Sequence, residues 1–269
     1  GYLSSRGIAF SSAPGCNAGG VMQYVHTALF SVATAKNIPL KGRTLGVIGV
    51  GNTGGKVAEL GEFLGFRVLR NDPPKEACAA DKSIYSPLDY LLEQSDIVTL
   101  HVPLDHATDG LADDAFFRKM KNGAIFVNAS RGEVVVEEAL MEAREKLAAI
   151  ILDVWRGEPS SISDALIEMA DIATPHIAGY SYEGKINGTS MVVQALAHHF
   201  GIDELKDFVP EHTPAPKLDI SREMTQDEIA AQFLKIFPIY ELDKSLRRTP
   251  SDFEKIRSEY VYRREFVWK

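Results

Sequence analysis

At 269 residues, 45% of them hydrophobic, the chain holds enough apolar side chains for at least one sizeable core and for one or two domains of a soluble globular protein. Its 37 acidic residues against 29 basic give a net charge of -8, and no Lys/Arg block interleaved with aromatics occurs, which argues against nucleic acid as a partner. No apolar run reaches the roughly 18 residues that span a bilayer, and the start lacks the basic-then-apolar order of a signal peptide, so no membrane association is expected and the cytoplasm is the default compartment.

Gly7, Ile8, Ala9 and Phe10 form a short strand-like piece with no partner strand before it, and the first residue is Gly rather than Met; both suggest a missing beginning. Cys16 lies in a turn-rich stretch without an activating neighbour and reads as a packing residue rather than a nucleophile. It and Cys78 are the only cysteines, too few for a disulfide framework or a zinc site, so both are expected reduced and no metal is expected. Over residues 19–35, Val21, Tyr24, Val25, Ala28, Leu29 and Val32 recur at helical spacing, closed by Asn37 and Pro39.

Six apolar runs follow, at residues 45–48, 67–69, 97–100, 124–127, 149–152 and 172–173, most of them separated by helical stretches such as 57–64, 87–93 and 137–147. The runs are continuous rather than alternating, which predicts an α/β fold: a Rossmann-type, doubly wound parallel sheet covered on both faces. The helix near Pro87 is expected to be capped by Ser86, with Pro87 in its first position and Asp89 facing the positive end of its dipole. A further helix is expected over 185–200, ending at Gly201, with His198 and His199 suiting the negative end of its dipole. Pro210, Pro214 and Pro216 then make a stiff linker, followed by helical pattern over 225–237 and a charged finish. Residues from about 203 onward read as a separate small module.

The run from Gly49 through Gly51 to Gly54 is G-x-G-x-x-G, weak evidence by itself. Here it follows a predicted strand, opens a predicted helix, and precedes Asp72, 23 residues beyond Gly49, at the end of the second strand. Gly49 permits a tight turn, Gly51 lets backbone approach a pyrophosphate, and Gly54 lets helix and strand pack closely, while the helix N-terminus offers free N–H groups. Asp72 would accept from the ribose hydroxyls of an adenosine and repel a 2′-phosphate, favouring NAD over NADP, with Arg70 nearby as the countervailing charge.

The remaining polar residues collect at strand ends, where open α/β sheets bind ligands: His101 and Val102 after the third strand, Asn128 to Gly132 after the fourth, Asp153 and Glu158 after the fifth, His176 after the sixth. Arg131 would hold the carboxylate of a 2-hydroxy acid with its two-pronged donor. His176 would exchange the hydroxyl proton, and Glu158 would orient the far nitrogen of that ring. An isolated His or Glu-Pro pair in a loop is commonly structural; it is the joint placement beside a dinucleotide site that favours catalysis. Asp153 is read either as a buried, hydrogen-bonded structural acid or as a contact to the nicotinamide side of the cofactor.

The stretches 49–54, 128–132, 152–159 and 174–179 resemble the D-isomer-specific 2-hydroxy-acid dehydrogenase family. The resemblance implies a catalytic set of Arg131, Glu158 and His176, and cofactor contacts from Asn52, Thr53, Asp72, Val102, Ala129, Ser130, Arg131, Asp153 and Gly179. Stretches 12–18, 71–74 and 176–185 narrow it to a branch acting on a small phosphorylated 2-hydroxy acid, with Tyr180 touching the substrate. It implies a division into 1–18, a remnant of a flavodoxin-like substrate domain; 19–182, the NAD-binding domain with its leading helix; 183–202, a return helix; and 203–269, an α+β dimerisation module of a homodimer. Such relatives begin with roughly 70 to 80 further residues that complete an ordinary-sized substrate domain, which the resemblance implies supplies other contacts to the substrate carboxylate and phosphate, and the C-terminus reads as stopping early. The chain as given is therefore expected to bind NAD, with turnover left open. Val102 stands where some relatives carry a hydroxyl residue and Val136 where many carry Asp. Two other readings remain open: a dehydrogenase of another 2-hydroxy acid such as phosphoglycerate, and an NAD-binding regulatory protein without catalysis.

Overall fold

Strands flanked on both faces have no solvent side, and this is how the apolar runs are used. In a computed structural model describing residues 2–268 they form β1 (Thr44–Ile48), β2 (Arg67–Asn71), β3 (Ile97–Leu100), β4 (Ile125–Asn128), β5 (Ala149–Leu152) and β6 (Ile172–Ala173). All pair in parallel in the order β2-β1-β3-β4-β5-β6. The chain leaves β1 toward β2 on one side and returns to β3 on the other, so the carboxyl ends of β1 and β3 flank the switch point where such sheets leave a crevice. Strands β1, β3, β4 and β5 are buried throughout, whereas β2, at one edge, is partly exposed.

Side chains alternate between two cores. Leu45, Val47, Ile97, Val127 and Ile151 face α2 (Ala18–Ala35) and α3 (Asn52–Phe63). Val98, Leu100, Phe126, Ile150 and Leu152 face α5 (Leu88–Gln94), α6 (Asp114–Lys119), α7 (Glu137–Glu142) and α8 (Asp164–Met169). The short helices α1 (Tyr2–Ser5) and α4 (Pro73–Cys78) sit outside both cores. After β6 come α9 (Tyr182–Phe200), α10 (Gln226–Ile236), α11 (Ile239–Arg248) and α12 (Phe253–Ser258). Among the described residues no helix is long and apolar enough to cross a membrane, and no group of three or more His, Cys, Asp or Glu is placed to hold a metal.

Several local expectations are corrected. Residues 7–10 form no strand; without a sheet edge beside them, Ile8 and Phe10 lie exposed. Ser86 does not cap α5: its N–H donates to Arg70 O at 2.7 Å, and Pro87 is the residue flanking the helix, although Asp89 does lie in the first turn. The helix expected over 137–147 breaks after Glu142 into a 3-10 turn, Arg144–Lys146. The region after 203 does not close on a core of its own. Leu218, Phe233, Phe237, Ile239 and Phe266 join the cluster built on α2, while Leu246 and Phe253 join the opposite one. Asp243 of α11 accepts from Ala173 N at 2.8 Å, capping the edge of the sheet with a carboxylate. Outside its helices, the extended pairing of this region is limited, among the described residues, to isolated bridges such as Lys217 with Val267.

Candidate active site

The turn after β1 is shaped by backbone. Gly49 has φ +83°, and a Cβ there would lie 2.7 Å from the carbonyl carbon of His101, so only glycine fits. At Gly54 a Cβ would come within 1.9 Å of Gly49 O, which lets α3 start against the turn. Gly51 caps α3 without a side chain, and the first donor to be used is Gly55 N, to Gly51 O at 3.0 Å. The N–H groups of Asn52, Thr53 and Gly54 are thus unspent by protein among the described residues, and the Cβ direction of Gly51 opens on empty space. An uncapped helix start behind open space fits a pyrophosphate. Asp72 is oriented by the same turn: its Oδ2 accepts from Val50 N at 2.8 Å and its Oδ1 from Lys75 N at 3.1 Å, while Lys75 Nζ donates to Val50 O at 2.7 Å. Arg70 is paired with Glu62 at 2.8 Å.

Beside this turn lies a cleft of about 340 Å³. It is lined by Gly51, Asn52 and Thr53 of the turn, by Val102, and by Ala129, Ser130 and Arg131 beyond β4. Asp153 beyond β5 and His176, Gly179 and Tyr180 beyond β6 complete the opposite wall. Of the expected residues, Gly49 and Gly54 at the ends of the turn, Asp72 and Glu158 do not line the cleft, although Glu158 is bonded to His176, which does. His101 also lines it, as its place at the end of β3 predicts, and so do Gly15, Asn17, Pro103 and Ala178, to which the sequence assigns no individual role. The polar, turn-rich stretch before α2 is the one signal that could have marked Gly15 and Asn17.

Arg131 is presented by a loop that Asn128 folds, its Oδ1 accepting from Ser130 N and Oγ at 3.0 and 2.8 Å and its Nδ2 donating to Arg131 O at 2.9 Å. The guanidinium donates to Ser130 O at 2.6 Å, is exposed, and meets no carboxylate among the described residues. His176 Nδ1 is bonded to Glu158 Oε1, and Glu158 Oε2 accepts from Trp155 N at 3.3 Å. That leaves Nε2 as the nitrogen with no partner among the described residues.

His176 sits at φ +55°, a left-handed conformation costly for a non-glycine residue, and its turn is held on two sides. On one side is Asp153, fully buried. Its backbone O accepts from His176 N at 2.7 Å, its Oδ1 from Ile177 N at 2.9 Å and Thr174 Oγ1 at 2.7 Å, and its Oδ2 from Ala178 N at 2.8 Å. Tyr24 OH bonds Thr174 Oγ1 at 2.7 Å. Burial pushes the Asp153 carboxyl up to about 6, while His176 and these donors pull it back. Both readings of Asp153 are thus compatible with its place, but its oxygens are already engaged in shaping the turn. On the other side is Arg263, 6% exposed. It donates to Ile177 O and Tyr180 O at 3.0 Å, to Gly20 O at 2.7 Å and to Ala178 O, with Nε on Gln23 Oε1 at 3.2 Å. His26 and His101 take no comparable part, since burial lowers them to about 4 and about 3 and keeps both rings neutral.

The model of the D-isomer specific 2-hydroxyacid dehydrogenase NAD-binding domain matches residues 21–178. The chain belongs to the D-isomer specific 2-hydroxyacid dehydrogenase family. It is 39% identical to erythronate-4-phosphate dehydrogenase of Bacteroides fragilis over 98% of its own length and 75% of that protein, and 37% identical to the Salmonella typhi enzyme of the same name over 98% and 72%. Among solved structures, D-lactate dehydrogenase from Aquifex aeolicus complexed with NAD and lactic acid superposes with a TM-score of 0.63 and 26% identity, over 79% of this chain and 76% of that one. This family member is therefore an NAD-dependent oxidoreductase of 2-hydroxy acids. Its cleft juxtaposes what such chemistry needs: an unpaired guanidinium, an imidazole with one nitrogen tied to a carboxylate, and a helix start with free donors.

Proposed function

We propose that this dehydrogenase oxidises 4-phospho-D-erythronate to 2-oxo-3-hydroxy-4-phosphobutanoate, a step toward pyridoxal 5′-phosphate (vitamin B6). Arg131 clamps the substrate carboxylate. His176 Nε2 takes the proton of the carbon-2 hydroxyl, and Glu158, bonded to Nδ1, fixes the tautomer and stabilises the imidazolium. NAD, when bound, supplies the hydride acceptor. Asn52 and Thr53 hold its pyrophosphate through their N–H groups, Asp72 its ribose, and Val102, Ala129, Ser130, Asp153 and Gly179 border its nicotinamide half. Residues 19–182 serve as the NAD-binding domain and 203–269 mediate self-association into a cytoplasmic homodimer.

The observation that carries the proposal is the His176–Glu158 pair beside unpaired Arg131 in one cleft. The names of the relatives support the substrate. Initial rates of NADH formation with 4-phospho-D-erythronate and with 3-phosphoglycerate test it. We expect kcat/KM to favour the former by roughly a hundredfold, a difference of about 2.7 kcal/mol in transition-state binding. Equal rates, or a preference for 3-phosphoglycerate, would remove the substrate assignment.

A further inference from the structure

Among the described residues, Arg131 accounts for the carboxylate end of a phosphorylated 2-hydroxy acid, and none has yet been assigned to its phosphate. Tyr180, which lines the cleft with His176, lies at the meeting point of two cations. Lys185 Nζ is 5.0 Å from the centroid of its ring and 5.0 Å from that of Tyr262. The guanidinium carbon of Arg257 is 5.5 Å from the Tyr180 ring, and the two tyrosine rings meet edge-on at 5.9 Å. Three separate segments contribute: the turn after β6, the first turns of α9, and the last stretch of chain around α12.

The charges here do not balance internally. No carboxylate lies within 4 Å of Lys185 Nζ among the described residues. Arg257 has a single one, Glu254 Oε2 at 3.6 Å, whose side chain is 62% exposed, and its Nε is buried without a hydrogen-bond partner. Ring faces attract cations but cannot neutralise them. Two like charges on one ring, at the edge of a cleft and in a chain of net charge -8, therefore make a local positive field with an unfilled complement. A guanidinium fork, a mobile ammonium and a phenol hydroxyl together are donors suited to a tetrahedral dianion.

We propose that Lys185, Arg257 and Tyr180 form this chain's share of the subsite for the phosphate of the substrate, so that Arg131 and this cluster grip opposite ends of one molecule. The inference rests on the substrate reading above, although it concerns phosphate monoesters as a class. A phosphate could also come from the cofactor, but the free N–H groups of α3 already serve that one, and the experiment separates the two sources.

Calorimetric titration of the NADH-loaded protein, which has no hydride acceptor and so cannot turn the ligand over, with 4-phospho-D-erythronate and with D-erythronate measures the preference for the phosphate directly. The same pair is titrated into Lys185→Met, Arg257→Met, the double variant and Lys185→Arg. We expect a preference of about a hundredfold, cut roughly tenfold by each Met variant and largely kept by Lys185→Arg, as for the loss of one charge-assisted hydrogen bond. Affinities for D-erythronate and for NAD should stay within about twofold. Lys185 is exposed, so its substitution leaves the core untouched. An unchanged preference in the double variant overturns the subsite, as does a loss of NAD affinity that matches the loss for the phosphorylated ligand. If 3-phosphoglycerate is preferred over glycerate in a Lys185- and Arg257-dependent way while 4-phospho-D-erythronate is not bound, the substrate reading falls and the subsite stands. If neither phosphorylated acid is preferred over its unphosphorylated twin, the subsite falls.

Discussion

The two walls of the cleft are built on different physical plans. The turn from Gly49 to Gly54 offers a ligand backbone N–H groups, and most of what shapes it, up to Asp72 and Lys75, lies within β1, α3, β2 and the start of α4, with the backbone of His101 the close neighbour from further along. The turn carrying His176 must present a side chain in a left-handed conformation, and no local sequence can enforce that. It is enforced from a distance: Tyr24 bonds Thr174 across 150 positions, and Arg263 bonds Ala178 across 85. A backbone site needs freedom from side chains, whereas a side-chain site needs clamps. Damage to the first should appear in cofactor affinity, and damage to the second in turnover.

The sharpest separation is His176→Ala. Removing the group that exchanges the hydroxyl proton should lower kcat by about 10³-fold or more, in the range general acid-base groups supply. The NAD dissociation constant, read by fluorescence titration, should not move beyond about twofold, since the cofactor turn is untouched. Unchanged kcat would remove His176 from the chemistry. A parallel collapse of NAD affinity would erase the distinction between the two walls.

Next in size is Arg263→Met, which keeps the apolar stem and deletes the fork. It leaves the carbonyls of Gly20, Ile177, Ala178 and Tyr180 without that donor in a buried place, which should cost about 2–4 kcal/mol of stability in urea titration. Because three of those carbonyls belong to the His176 turn, kcat at saturating substrate should fall as well, with NAD affinity retained. A stability loss without any fall in kcat would show that Arg263 holds the fold and not the turn.

Much of this was legible because two signals are local. Continuous apolar runs place all six strands within a residue or two, since a strand covered on both faces has no polar side to interrupt it. Following each strand to its carboxyl end then leads to Arg131, Asp153 and His176. What stayed hidden acts across the chain. Arg263 sits in a charged tail where an arginine ordinarily faces water, and nothing adjacent marks it as 6% exposed beneath the His176 turn. Tyr24 reads as one more apolar position of a helix, although its hydroxyl ends the Thr174–Asp153 chain. The strand-like text at 7–10 misleads for the converse reason, because β-propensity without a neighbouring edge does not make a strand.

The smallest predicted effect tests the other wall. Gly51 has a negative φ, -70° with ψ -152°, in extended backbone, and a Cβ there meets nothing within 4 Å. Gly51→Ala should therefore change the stability of the apoprotein by no more than about 1 kcal/mol, the gain through the unfolded chain being offset by alanine's poorer fit at an N-cap. The added methyl would, however, stand where a phosphate must approach the free N–H groups of Asn52 and Thr53, so NAD should bind roughly tenfold more weakly, about 1.4 kcal/mol. Gly54→Ala is the contrasting control, since its Cβ would press against Gly49 O and destabilise the fold itself. Undiminished NAD affinity in Gly51→Ala would mean that the pyrophosphate does not sit on this turn, because the two substitutions differ only in whether the new methyl faces protein or the empty cleft.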